Sequence, residues 1–262
     1  MSRGRLAYTF AWAYVGCVLL FLYAQLVPPL LFSLGEAGGS PGGISLAAYL
    51  EIWRNPVLLG AVRVSAVLGI LTATLTPLLA LLAAMGVREL RAPRLVLLLV
   101  LLPLFIPGVS MGLAVAFFFR LLGVVPSLWT ILTVHVLWSL PFAFLIVLTA
   151  MATFDPVYLE AAYVHGANRT RAFWDVELPL IYPGIVGAAT FSLILSLNET
   201  VRTSLVQGPL NTVQTYIWST YLQVGLSTSL YALMSLLIVS TLVLIVGLRP
   251  LIAYRPRPRV SP

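Results

Sequence analysis

A carboxylate and a guanidinium lie close together at the end of an apolar run, in the string Asn198-Glu199-Thr200-Val201-Arg202. A charge inside an apolar segment is costly, and by default it indicates function. Glu199 and Arg202 are three positions apart, so on a helix they share a face and can pair. Two interpretations stay open: a polar patch that faces a ligand path, or an ion pair at the solvated outer end of the helix.

Aromatic side chains that could accompany these charges occur in two other places. Trp138 lies three positions after His135 in an apolar run, and Tyr216 follows the charged string. An aromatic face can hold an alkylammonium by a cation–π contact. For His135 two interpretations stay open: its side chain lines the ligand path, or it packs in the protein interior. Neither His135 nor Glu199 has a partner at a spacing typical of Ser/His or paired-acid catalysis. This disfavours an enzyme that works inside the membrane. The candidate path residues are Asn198, Glu199, Arg202, Trp138 and Tyr216.

The composition excludes several classes of protein. Of the 262 residues, 60% are hydrophobic and 9% are charged, whereas about 25% are charged in an ordinary soluble domain. A soluble enzyme, a disordered protein and a disulfide scaffold are therefore excluded. The chain has no lysine, so it cannot supply the P-loop lysine of an ATP site. With one cysteine, Cys17, and two histidines, the sequence predicts no disulfide, no metal site and no cofactor bound by this chain.

Six apolar runs must position these side chains. A spanning helix needs about 20 apolar residues, and only helices or closed barrels satisfy the backbone in lipid. Barrel strands would be shorter and alternating, so the sequence predicts an all-α membrane protein with six transmembrane helices. Prolines inside the runs, among them Pro77, Pro103, Pro107 and Pro141, predict kinks. The runs are 7–32, 57–85, 95–119, 128–151, 183–197 (continuing to about 203) and 230–248.

The arginines are distributed unequally between the two sides that six spans define. Positive charge accumulates on the cytoplasmic side, so both termini are predicted to be cytoplasmic. Because the arginines flank apolar spans, the net charge of +7 indicates no nucleic-acid partner. The predicted divisions are a first transmembrane helix plus external segment at 1–56, a core of five transmembrane helices at 57–252 and a cytoplasmic tail at 253–262. Eleven of the fifteen arginines fall on the side of the termini: Arg3, Arg5, Arg88, Arg91, Arg94, Arg169, Arg171, Arg249, Arg255, Arg257 and Arg259.

The longest cytoplasmic connection, 152–182, predicts two short helices. Asp155 can cap the first helix and Gly166 suits its end, while Asn168 can cap a second helix that stops before Pro179. One face of the first helix is small in the middle and aromatic at its ends. Such a face could lie in a groove of another protein, or it could pack on the chain's own bundle. The residues on this face are Tyr158, Ala161, Ala162 and His165.

The same connection contains a motif with fixed spacing. It has E-A-A, three residues, G, nine residues, V, one residue and L-P, at Glu160-Ala161-Ala162, Gly166, Val176 and Leu178-Pro179. This string resembles the EAA loop of ABC-importer permeases, in which an isoleucine stands where this chain has valine. Other features of that family recur in order along the chain, at Pro107, Pro141 and Pro183-Gly184.

The resemblance implies a type I (MetI-like) permease fold and an ATP-driven importer in a bacterial or archaeal cytoplasmic (inner) membrane. The loop would form a coupling helix in a cleft of a cytoplasmic ABC ATPase dimer, which binds the ATP and magnesium. A sister permease, in a heterodimer rather than a homodimer, and an external solute-binding protein are the other implied partners. The acid would tie the loop in place, the small residues would allow close approach and the Leu-Pro pair would set the angle of re-entry. The implied coupling residues are Glu160, Ala161, Ala162, His165, Gly166, Leu178 and Pro179.

The segment around Glu199, with Gly208-Pro209 and Tyr216, is similar to the spermidine/putrescine branch of these permeases. A carboxylate suits a polyamine, but relatives in this branch import other small solutes too, and Arg202 could neutralise Glu199. The solute therefore stays open. A secondary transporter that needs no ATP is the alternative class, which usually shows an inverted repeat. We find no internal repeat in this sequence.

Overall fold

The structure is a computed structural model that describes residues 2–35, 44–90 and 92–252, with side chains in 8–35, 44–90 and 92–247. Within these ranges it is helical, with turns and no strand. The predicted cytoplasmic tail 253–262 lies outside the described residues, as do Arg91 and the glycine-rich part of the external segment. The helices are α1 (Ser2–Ala24), α2 (Val27–Phe32), α3 (Ala47–Arg54), α4 (Pro56–Glu89), α5 (Pro93–Leu101), α6 (Gly108–Leu121), α7 (Leu128–Ala152), α8 (Val157–Val164), α9 (Arg169–Ala172), α10 (Leu178–Leu197), α11 (Val201–Val206), α12 (Val213–Val224) and α13 (Thr228–Ile252).

Five stretches of the described chain are helical, long and apolar enough to cross a membrane. The third predicted span is different, because α5 and α6 are bent by 107° relative to each other. A short 3-10 helix, Leu102–Phe105, ends α5, and Pro107 then takes an extended conformation before α6 begins. The kink predicted at Pro103 and Pro107 is thus a full break, and the single span predicted over 95–119 consists of two helices. The total is six spans only if this bent pair counts as one.

Prolines interrupt the helices at some sites and not at others. Pro77, Pro141 and Pro183 lie inside continuous helices. Pro179 lies in the first turn of α10, where its missing N–H costs no hydrogen bond. The predicted stop before Pro179 is therefore wrong: a π-helical turn, Phe173–Glu177, connects α9 to α10.

The fifth predicted span also ends earlier than expected. It was predicted to continue to about Thr203, but α10 stops at Leu197 and α11 begins at Val201. Asn198, Glu199 and Thr200 form the break between them. Glu199 is therefore not on a continuous helix, and its side chain is free to turn toward the first turn of α11.

The chain divides into two compact units. The first comprises Met1–Leu59 and Ser219–Ser240. Within it, the hydroxyl of Tyr49 is 2.8 Å from the Ser33 hydroxyl and 2.5 Å from the Ser235 hydroxyl. The hydroxyl cluster therefore joins α3 to α13 and to the residue that follows α2.

The second unit comprises Gly60–Trp218 and Thr241–Pro262, and it has a core of small and branched side chains. In one cluster, alanines of α4 and α10 pack against α7, which allows these helices to approach closely. The first cluster contains Ala80, Ala84, Ala143, Phe144, Val147 and Ala188. The second cluster contains Leu68, Ile131, Leu132, Val134 and Val206.

Gly184 tests this close packing of α7 and α10. A Cβ added at Gly184 would collide with the Cβ of Ala150, whereas one added at Gly187 would be 3.7 Å from Ile146, an ordinary contact. We expect Gly184→Ala to lower the free energy of unfolding by about 1–3 kcal/mol, the usual cost of overpacking. Gly187→Ala is the matched control and should be neutral or slightly stabilising. Thermal unfolding in detergent compares the two, and equal stability of both variants would contradict the packing.

Candidate translocation and coupling sites

A buried ion pair fills the break between α10 and α11. Arg202 Nη1 donates to Glu199 Oε2 at 2.7 Å, and the Arg202 backbone N–H donates to Glu199 Oε1 at 2.8 Å. Glu199 is 4% exposed and Arg202 is 8% exposed. The carboxylate thus neutralises the guanidinium and also satisfies a backbone donor that the start of a helix leaves free.

The guanidinium of Arg202 is also enclosed by α6 and α7. Its carbon lies 3.8 Å from the ring centroid of Trp138, a cation–π contact. On α6, a Cβ at Gly108 would be only 3.3 Å from the guanidinium, and one at Gly112 would meet the Arg202 backbone at 3.1 Å. The two glycines therefore make room for α11 and its arginine.

His135 forms the next layer of this polar cluster. Its Nδ1 is 2.7 Å from the Ser196 hydroxyl and its Nε2 is 2.8 Å from the Thr203 hydroxyl. Both ring nitrogens are thus engaged, and the ring is buried. His135 joins α7 to the two helices on either side of the break.

The other two predicted path residues lie differently. Asn198 is exposed, and its amide donates to the Ile194 carbonyl at 2.8 Å and accepts from Gln214 at 3.5 Å. Tyr216 is half-buried on α12. Of the predicted set, the structure thus brings Glu199 and Trp138 into contact with Arg202.

The predicted coupling loop begins with α8. Asp155 Oδ1 accepts from the Val157 N–H at 3.0 Å, and Gly166 ends the helix with φ of +82°. Asn168 then caps α9 by accepting from the Arg171 N–H at 2.8 Å. These three local signals were read correctly from the sequence, because each depends on only a few neighbouring residues.

The face of α8 that carries the motif is open in this chain. Glu160, Ala161, His165 and Gly166 are exposed, and Ala162 is half-buried. Downstream of the π-helical turn, Leu178 is half-buried and Pro179 is exposed. The loop thus presents a short helix outward while its second half continues into α10.

Four charged residues at the base of the loop form ion pairs that the sequence pattern did not predict. Glu177, 2% exposed, accepts from Arg88 Nη1, while Glu89 accepts from Arg88 Nε at 3.2 Å and from Arg169. The available signal was an acid, Glu177, directly before the Leu-Pro pair. Among the described residues, no three histidine, cysteine, aspartate or glutamate side chains gather closely enough to hold a metal ion.

Comparison with known proteins identifies the family. The family model for the "binding-protein-dependent transport system inner membrane component" matches residues 39–254. The chain belongs to this family. The permease is 26% identical over 240 residues to the spermidine/putrescine transport system permease protein PotC of Escherichia coli K12, covering 88% of this chain and 91% of that one. It is 24% identical over 229 residues to the putrescine transport system permease protein PotI of the same strain, covering 83% and 82%.

Solved structures show the same fold. A bacterial alginate ABC transporter in complex with an alginate pentasaccharide-bound periplasmic protein matches the permease with a TM-score of 0.68 at 18% identity, over 97% of each chain. A bacterial ABC transporter that imports alginate matches with a TM-score of 0.73 at 14% identity, over 96% of this chain and 97% of that one. The predicted family and the all-α permease fold are thus confirmed.

The buried ion pair of the permease makes a prediction about stability. Glu199→Gln leaves the Arg202 charge buried without its counter-ion, which we expect to cost about 3–5 kcal/mol of unfolding free energy. Glu199→Gln combined with Arg202→Gln removes both charges and should recover much of that loss. Asn198→Ala, at the exposed neighbour, is the control and should change little. Thermal unfolding of the purified variants compares their stabilities. If Glu199→Gln alone were as stable as Asn198→Ala, the buried ion pair would be contradicted.

Proposed function

We propose that this permease couples to a separate cytoplasmic ATPase dimer through α8 and imports a solute that an external binding protein delivers. The observation that carries this proposal is the eight-residue helix α8, which ends at Val164 just before the turn at Gly166. Tyr158, Ala161 and the following His165 are all exposed. A short helix with small residues between aromatic ends suits a groove on another protein. The ATP and magnesium belong to the partner ATPase.

The proposed transmission follows the chain. Movement of α8 passes through α9 and the π-helical turn into α10, because these segments are continuous from Arg169 to Leu197. Glu160 ties the loop to the ATPase and His165 contacts it, while Ala161, Ala162 and Gly166 allow close approach. Leu178 and Pro179 begin α10 and fix the angle at which the chain re-enters the membrane.

The proposed orientation places α8 and both termini in the cytoplasm. Arg88, Arg94, Arg169 and Arg171 flank the membrane side that faces the ATPase, as the positive-inside tendency requires. The permease pairs with a second permease subunit, and a sister subunit is favoured over a second copy. The family assignment favours ATP-driven transport over a secondary transporter or an intramembrane enzyme.

The solute class that we propose is the polyamines. PotC and PotI carry spermidine and putrescine in their names, and the cluster of Glu199 with Trp138 combines a carboxylate with an aromatic face. In this structure the guanidinium of Arg202 occupies both groups. An alkylammonium would therefore compete with Arg202 for the same partners, and spermidine and putrescine are the first solutes to test.

The complex itself is the first test of the proposed function. Affinity purification of the tagged permease in mild detergent from its native membrane should recover two ABC ATPase subunits and one second permease for each tagged chain. Recovery of the permease alone under several detergents, with the 160–166 segment intact, would contradict the proposal. Gel quantification and mass spectrometry of the recovered subunits provide the measurement.

Gly166 gives a sharper test of coupling. Its φ of +82° is strained for any other residue, and so is the φ of +69° at Gly123, which lies between α6 and α7. An added Cβ meets no atom within 4 Å at either position, so the two sites match sterically. Each substitution costs about 1–2 kcal/mol of backbone strain. We expect Gly166→Val to insert normally but to abolish ATP-driven uptake of spermidine into proteoliposomes, while Gly123→Val retains it.

A further inference from the structure

The cytoplasmic end of α4 is linked to the coupling loop by charged residues of alternating sign. Arg88 and Glu89 end α4, and they face Glu177 and Arg169 of the loop. The pair of Arg88 with Glu177 is the more buried one: the Glu177 side chain is 2% exposed and that of Arg88 is 39% exposed. The pair of Arg169 with Glu89 is more open, at 73% and 37%.

Glu177 is buried because of local backbone geometry. It is the last residue of the π-helical turn Phe173–Glu177, directly before α10. π-helical turns are rare and frequently occur at functional sites. This one places a carboxylate inside the protein, where a charge is tolerated only with a partner. In the described part of the chain, that partner is Arg88 of α4.

The ion pair matters because the apolar contact beside it is incomplete. A cavity of about 350 Å³ lies between the loop and α4, and its wall includes Met85 of α4 and Leu159 and Tyr163 of α8. One turn before the charges, Ala84 packs in the core cluster with Phe144 of α7. The Arg88–Glu177 pair therefore bridges a gap between the coupling loop and a helix that is firmly held in the core.

We propose that Arg88 and Glu177 are positioning residues that make α4 move together with the coupling loop. This inference rests on the proposed function of α8. Without the pair, movement of α8 would reach the helix core only through α9 and the start of α10, and α8 would shift relative to α4. Arg169 and Glu89 make a more exposed contact, and exposed ion pairs contribute little.

Distances between spin labels test this inference without knowledge of the solute. In the intact complex, and in a Cys17→Ser background, one sample carries labels at Val164→Cys and Leu82→Cys, on α8 and α4. A second sample carries labels at Val164→Cys and Leu121→Cys, at the end of α6. All three side chains are exposed. Pulsed electron paramagnetic resonance records the distances in the nucleotide-free complex and after trapping with magnesium, ATP and vanadate.

The expected result separates the two distances. In the unmodified permease, the distance from 164 to 121 changes by about 2–5 Å on trapping, the range of helix shifts in switching proteins, while that from 164 to 82 stays constant. In Glu177→Gln, the distance from 164 to 82 should change by a similar amount. Arg169→Gln is the matched control and should behave as the unmodified chain does.

Two further variants guard against misfolding. Arg88→Gln with Glu177→Gln leaves no unpaired buried charge, so this double variant should fold. Its distance from 164 to 82 should still change on trapping. Arg88→Glu with Glu177→Arg reverses the pair and should again keep the distance from 164 to 82 constant on trapping. Spermidine uptake per ATP hydrolysed should fall about tenfold in Glu177→Gln, within the range of coupling between sites, and should recover in the reversed pair.

Each outcome decides a different point. A constant distance from 164 to 82 in both Glu177→Gln and the double glutamine variant would overturn the inference while leaving the proposed function intact. An unchanged distance from 164 to 121 in the unmodified complex would also overturn the inference, because α8 would then make no movement within the chain for the ion pair to transmit. The proposed function fails separately, if no ABC ATPase is recovered with the permease.

Discussion

The constraint on which the membrane part of this permease depends is that hydrocarbon offers no partner to a free backbone donor or a lone charge. The break between α10 and α11 meets that constraint with one residue. Glu199 accepts hydrogen bonds from the Arg202 backbone N–H and from its guanidinium. A single carboxylate thus satisfies a free backbone donor at the start of α11 and neutralises a buried cation. The rest of the polar cluster follows from it, since Trp138 and the glycines of α6 enclose the guanidinium that Glu199 retains.

The same constraint explains which prolines break their helices. Pro77 and Pro141 each remove one donor from a helix that is packed on several neighbours, and those helices stay continuous. Pro103 and Pro107 lie four residues apart, so they remove two donors within about one turn of helix. The chain there adopts a 3-10 helix and an extended residue instead. Pro179 and Pro183 are also four residues apart, but Pro179 stands in the first turn of α10, and that helix stays continuous. Two closely spaced prolines therefore break a helix in this chain only where neither lies at the helix start.

The sequence was sufficient for features that depend on local chemistry. Of the six helices that apolar length predicted, five are long helical stretches. The caps of the loop at Asp155, Gly166 and Asn168 were predicted from single residues and their offsets. It was insufficient where residues distant in the chain decide the outcome. Glu177 and Arg88 are 89 positions apart. At the break between α10 and α11, His135 joins Ser196 and Thr203 from 61 and 68 positions away. A helical periodicity contains no information about such partners.

The bend between α5 and α6 has a consequence for biogenesis. These helices have 9 and 14 residues, or about 13 and 21 Å at 1.5 Å per residue, so neither half is long enough to cross the bilayer alone. The machinery that inserts nascent helices must therefore accept the region as one apolar segment. Arg202, whose guanidinium packs against Gly108, is synthesised about ninety residues later. The bent pair of α5 and α6 thus meets its packing partner only after α10 and α11 have been made. These helices therefore pack together after α5 and α6 have entered the membrane.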